Sequence, residues 1–207
     1  MDLVLIHGMG RTPLSMLRLR CRLRQAGHRP VLFGYSPTLE TLQGATARLV
    51  KRIDRRAGSG EYALVGHSLG TVLIRAALGQ LQERPPAACF FLAPPLVACK
   101  AARFFSRFRL YRLLTGEMGQ LLADDTFMRR LPMPAAPTRI YAGTAGPRAP
   151  RLPFSMEAND GILSVSEATG SFTGDVVEVP SLHTFIMNSK RVAADIASFL
   201  DEPRRPR

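Results

Sequence analysis

The sequence predicts an α/β fold, a mostly parallel sheet of about six strands covered by helices on both faces. Three observations predict it. The strand candidates are short, wholly apolar runs such as Leu3 to Ile6 and Ala88 to Leu92, as expected of strands buried on both sides. Helical stretches of about 12 to 18 residues separate them, long enough to cross between parallel strands. Glycine-rich turns close the first and third runs, at His7-Gly8-Met9-Gly10 and at Gly66-His67-Ser68-Leu69-Gly70.

In chain order, Leu3 to Ile6 reads as the first strand. Thr12, as N-cap, and Pro13, at the first helical position, open a helix that runs to Gly27. Val31 to Phe33 is the second strand. Thr38 or Thr41 caps a second helix to about Ala57, with Leu42, Leu49, Val50 and Ile53 inward and Arg48, Lys51, Arg55 and Arg56 outward. Gly58-Ser59-Gly60 breaks it, Tyr62 to Val65 is a strand, and Thr71 to Gln82 is a helix. Ala88 to Leu92, Thr138 to Ala142 and Val176 to Val179 complete the strands, and a last helix spans about Thr184 to Leu200. Residues 97 to 131 are too many for a plain connection and imply helices of their own. Phe104, Phe108 and Tyr111 share one helical face there, and Lys100, Arg103 and Arg107 another, the pattern of a basic amphipathic helix that covers the sheet, caps a site or meets lipid.

The 207 residues fit a single domain, over 1–202, with a basic tail at 203–207. Apolar residues make up 46% and charged residues 21%, which excludes wholesale disorder and calls for a packed core. The longest uncharged stretch, Pro85 to Cys99, carries four prolines and falls short of the ~20 residues that cross a bilayer. The start of the chain shows neither a basic n-region nor a cleavage site, and Cys21, Cys89 and Cys99 form no paired or metal-ligand spacing. Reduced thiols, no metal and a cytoplasmic location are expected, peripheral to membrane at most. Net charge is +12, with Lys only at 51, 100 and 190. Such a surplus reads first as a surface drawn from an Arg- and Ala-rich coding composition, and second as attraction to nucleic acid, anionic lipid or acidic substrate. No helix-turn-helix, RNP or zinc pattern points to specific nucleic-acid recognition.

Gly66-His67-Ser68-Leu69-Gly70 follows an apolar strand and opens a helix, the context in which G-x-S-x-G exposes a nucleophilic serine on a sharp turn. A serine hydroxyl attacks at neutral pH only when a base takes its proton. Of the four histidines, His183 lies just beyond the last strand, at the strand ends where open α/β sheets place their sites, so it is the candidate base. His7, His28 and His67 read as structural. A carboxylate must then hold the imidazole. Twelve acidic residues follow Ser68, and Asp160, in Asn159-Asp160-Gly161, is best placed between the fifth and last strands; Asp175 and Glu157 are the alternatives. The backbone amides of Leu69 and Met9 are the expected oxyanion donors. His7, Gly8, Gly10 and His67 are expected to border the substrate, the glycines by letting backbone approach it.

With these motifs in this order, the chain resembles the α/β-hydrolase superfamily, its compact lipase and esterase-like members in particular. The resemblance implies a three-layer α/β/α hydrolase sandwich and a Ser-Asp-His hydrolase of carboxylic esters that forms an acyl-enzyme without a cofactor. Such folds set one or two strands before the oxyanion loop, and this chain starts on that strand, so a minimal sheet is implied. Thioesterase, amidase or acyltransferase chemistry with the same triad is left open, as is a non-catalytic adaptor at an anionic membrane. Substrate is expected to be a small-molecule or lipid ester; acyl length and oligomeric state have no readable code.

Overall fold

A computed structural model describes residues 1–100, 109–151 and 153–202. Six strands form one sheet, β1 (Asp2–Ile6), β2 (Arg29–Phe33), β3 (Tyr62–His67), β4 (Ala88–Leu92), β5 (Thr138–Gly143) and β6 (Asp175–Val179), in the order β2-β1-β3-β4-β5-β6. Every neighbouring pair is parallel, so the sheet is wholly rather than mostly parallel. All strands therefore end on one rim, and the connections that leave β1, β3, β5 and β6 can meet there.

The helices are α1 (Leu17–Gln25), α2 (Leu42–Ala57), α3 (Leu69–Ala77), α4 (Arg109–Leu121), α5 (Asp125–Arg130), α6 (Val165–Thr169) and α7 (Lys190–Asp201). They divide the apolar side chains into two cores. Val4, Ile6, Leu64, Phe91 and Ile140 pack beneath α2, α3 and the insertion, while Leu3, Leu5, Val65, Phe90 and Tyr141 pack beneath α1 and α7. Alternate residues of one strand thus feed opposite faces, and both faces are covered over β1, β3 and β4, which is why those strands are buried throughout while the edge strands β2 and β6 keep exposed positions.

Three helix boundaries differ from expectation. The helix that opens at Pro13 begins as a 3-10 segment, Pro13–Met16, and the Thr12 side chain makes no capping bond. The last helix is also split: a 3-10 segment spans His183–Asn188, and Ser189 then starts α7 afresh, its hydroxyl accepting from the Val192 amide. α3 starts at Leu69, directly after Ser68, and ends at Ala77. Of the second helix's two candidate caps, Thr41 does the capping, accepting from Gly44 N–H.

Within the insertion, Gly116 (φ 60°) kinks α4, and a Cβ there would meet the Thr38 carbonyl oxygen at 2.5 Å. Phe104 and Phe108 of the expected basic aromatic face lie outside the described residues, as does the tail. Arg75 fastens the far end of the insertion. Its buried guanidinium donates to the carbonyls of Pro132 (3.2 Å), Met128 (3.1 Å) and Leu131 (2.6 Å), and burial pushes its pKa down to about 10. A buried cation bonded to carbonyls in this way holds chain segments in place.

Candidate active site

Ser68 sits between β3 and α3 with φ 49° and ψ −119°, a left-handed backbone that non-glycine residues seldom adopt. The turn that imposes it works only because its neighbours lack side chains. A Cβ on Gly66 would lie 2.8 Å from the Thr71 amide nitrogen, and one on Gly70 would lie 2.5 Å from the Ile6 carbonyl oxygen. The Ser68 carbonyl accepts from both the amide (2.9 Å) and the hydroxyl (2.7 Å) of Thr71, which braces the first turn of α3.

From the other end of the sheet, the loops after β5 and β6 bring in the remaining groups. His183 Nε2 stands 3.0 Å from Ser68 Oγ, and His183 Nδ1 stands 2.7 Å from Asp160 Oδ2. The second carboxylate oxygen of Asp160 accepts from the amides of Ile162 (2.9 Å) and Leu163 (2.7 Å). The backbones are tied too, since His183 N–H donates to the Asp160 carbonyl at 2.9 Å. Both side chains are buried, and Gly143 lets them pack close: a Cβ there would meet Asp160 Cβ and the Ser181 carbonyl, each at 2.7 Å.

The other two candidate carboxylates are elsewhere. Asp175 begins β6 at the opposite end of the strand and pairs with Arg139 at 2.9 Å. Glu157 accepts from the Ser166 amide at 3.0 Å. His28, beside β2's first residue, faces Asp201 and is remote from the site.

The loop after β1 lies against the His67–Ser68 turn. A Cβ on Gly8 would approach His67 Nδ1 to 2.8 Å and Ser68 Cβ to 3.0 Å, so only glycine lets the two turns meet, while Gly10 adopts φ +64°. Met9, between them, is half-buried. His7 and His67, expected to border the substrate, are turned inward. The His7 ring stacks on Tyr35 with centroids 4.5 Å apart, its Nδ1–H donates to the Gly8 carbonyl at 2.9 Å, and the Tyr35 hydroxyl donates to the His7 carbonyl. His67 Nε2–H donates to the His183 carbonyl at 3.0 Å. Burial, reinforced by the neighbouring His183, holds the His67 pKa well below the ordinary histidine value, and burial likewise lowers that of His7. Both rings are thus neutral struts beneath the surface.

Two supports escaped the sequence reading. The Asn159 side chain accepts from the Gly161 amide and donates to the carbonyls of Pro147 and Glu157, shaping the loop that presents Asp160. Ser164 and Glu167 form a reciprocal capping box at the start of α6, just beyond that loop. The spacing Ser-x-x-Glu was there to be read; the partners of Asn159 had no sequence signal. Among the described residues, no group of three or more His, Cys, Asp or Glu side chains could hold a metal ion.

A six-stranded parallel sheet with a strained serine turn at its rim, and a histidine and a carboxylate converging on that serine, define an α/β hydrolase architecture. A model of the alpha/beta hydrolase family matches residues 3–201, and the chain belongs to that family. No curated protein matches the sequence. Among solved structures, the fold is similar to a Bacillus licheniformis lipase (TM-score 0.74, 14% identity, covering 96% of this chain and 91% of that one). It is also similar to a thioesterase of the prodiginine pathway of Streptomyces coelicolor (TM-score 0.65, 17% identity, 95% and 84%) and to a pyrethroid hydrolase from Sphingobium faniae (TM-score 0.62, 16% identity, 98% and 98%). At these identities the likeness is one of fold alone.

Proposed function

We propose that the protein is a serine hydrolase of carboxylic esters that works through an acyl-enzyme. The chain of contacts from Ser68 Oγ through His183 to Asp160 carries this reading. Ser68 Oγ attacks the acyl carbonyl while His183 Nε2 takes its proton. Asp160, its other oxygen occupied by two amides, holds Nδ1–H and stabilises the imidazolium. The amides of Met9 and Leu69 receive the oxyanion, the latter as the first N–H of α3, where the helix end favours negative charge. Collapse expels the alcohol, protonated by His183, and water then attacks the acyl-enzyme with the same histidine as base.

The same machinery serves thioesters, and family resemblance in fold extends to a thioesterase as well as to a lipase and a pyrethroid hydrolase. Short and long p-nitrophenyl esters, assayed beside acyl thioesters, test the preference. Ser68→Ala is expected to abolish turnover of every member of the panel; undiminished turnover would end the proposal. Transfer of the acyl group to an added alcohol or amine in place of water would assign an acyltransferase.

A further inference from the structure

We infer that the surface beside His183 docks the protein onto anionic lipid bilayer. That surface is built from two 3-10 segments, Pro13–Met16 and His183–Asn188, which pack against each other at the rim where the strands end. Arg11 donates to the Thr184 carbonyl at 3.4 Å, and Arg22 to that of Asn188. Met16, Ile186 and Met187 fill the core beneath. Above them stand large apolar side chains that the fold leaves in water: Leu14 (70% exposed), Phe185 (55%), Leu182 (40%) and Leu17 (39%). Segments this short could have placed polar residues outward at no cost to the core, so a cluster of leucines and a phenylalanine next to the candidate base asks for a partner.

The charge around the cluster says which partner. Residues 3–39 contain six arginines and no Asp or Glu, and residues 179–194 contain Lys190 and Arg191 and again no Asp or Glu. Of the flanking carboxylates, Asp2 is engaged with Arg29 and Arg56, Glu40 with Arg48, and Asp195 with Arg139 and Tyr141, while Glu178, exposed on β6, borders the second stretch in sequence. Arg18, Lys190 and Arg191 are exposed, and among the described residues none has a carboxylate partner. An apolar centre flanked by the exposed cations Arg18, Lys190 and Arg191 matches a bilayer, with Leu and Phe entering the acyl boundary and Arg and Lys at anionic headgroups. Phe185 lies two residues from His183, so docking there turns the serine rim toward the lipid. The docking stands apart from the hydrolytic reading; that it delivers apolar acyl groups to Ser68 rests on that reading.

The test is flotation of the full chain with vesicles of phosphatidylcholine and phosphatidylglycerol in equal parts, and with phosphatidylcholine alone, beside turnover of a short soluble ester. Binding is expected with the anionic vesicles only and is expected to fall steeply from low to high salt. Leu14→Ser with Phe185→Ser should weaken it by about tenfold or more. Arg18→Gln and Arg191→Gln should each weaken it by about fivefold. All four substitutions should leave soluble-ester turnover in place. No flotation at low salt, equal flotation with phosphatidylcholine alone, or variants that float like the parent would overturn the inference. So would binding to an acidic polypeptide such as poly-glutamate in the absence of vesicle binding. A parent that floats without turning over the ester would instead remove the hydrolytic reading and leave the docking intact.

Discussion

Ser68 is held by what its neighbours lack, whereas Asp160 and His183 are held by what theirs donate. On the Ser68 side, Gly8, Gly66 and Gly70 leave gaps that their neighbours fill, so that a single added carbon would collide with main chain at Gly66 and Gly70 and with the His67 ring and Ser68 Cβ at Gly8. On the Asp160–His183 side, five hydrogen bonds converge: two amides on the Asp160 carboxylate, the His183 ring on that carboxylate, the His183 amide on the Asp160 carbonyl, and the His67 ring on the His183 carbonyl. The first region rests chiefly on sterics, beside the Thr71 bonds to the Ser68 carbonyl, and the second chiefly on polar contacts, beside the close approach at Gly143. The Ser68 turn should therefore be the more sensitive of the two to added bulk, and the Asp160–His183 pair the more sensitive to a lost hydrogen bond.

The largest expected effect is on the polar side. Asp160→Asn keeps the volume and the loop but presents an amide to His183 Nδ1, which favours the wrong tautomer; kcat should fall by about 10⁴ with little change in unfolding free energy. A near-parental rate would separate this carboxylate from catalysis. Next comes the steric side. Gly70→Ala drives a Cβ toward the carbonyl oxygens of Ile6 (2.5 Å) and His7 (2.8 Å), and urea unfolding should show a loss of about 3 kcal/mol. If the variant instead kept its stability and lost only activity, the turn would not be the rigid support described.

The smallest effect concerns pH. His7 and His67 have folded pKa values lowered from 6.5 by burial, so the unfolded chain takes up protons that the folded one refuses. Stability from these two should be complete above about pH 6.5 and decline as pH falls below it, by up to about 1.4 kcal/mol per pH unit for each ring. Denaturation midpoints at a series of pH values check this, and His67→Gln should flatten the slope. An unchanged slope would mean that His67 is not a neutral strut.

Much of this architecture could be read before any coordinates. Ala88 to Leu92 was recognisable to the residue, because a strand buried on both faces leaves no room for a polar position. Ser68 and His183, singled out by residue type and chain position, stand 3.0 Å apart. Asp160 was preferred over Asp175 on loop context alone, and it is Asp160 that meets the imidazole. What escaped prediction depends on tertiary partners. Arg75 looks like one more arginine on a helix until the carbonyls of 128–132 surround it. The 3-10 character of Pro13–Met16 and His183–Asn188 likewise comes from packing the two segments together, and the periodicity of either one reads as ordinary helix.

The most direct test of the site is covalent. A fluorophosphonate reacts only with a serine whose proton is being withdrawn, so incubation followed by peptide mass spectrometry reads the Ser68–His183 pairing itself. The expected result is a single adduct on the peptide that contains Ser68, formed far more slowly in His183→Ala. An adduct on another serine, or equal labelling of the parent and His183→Ala, would contradict the account.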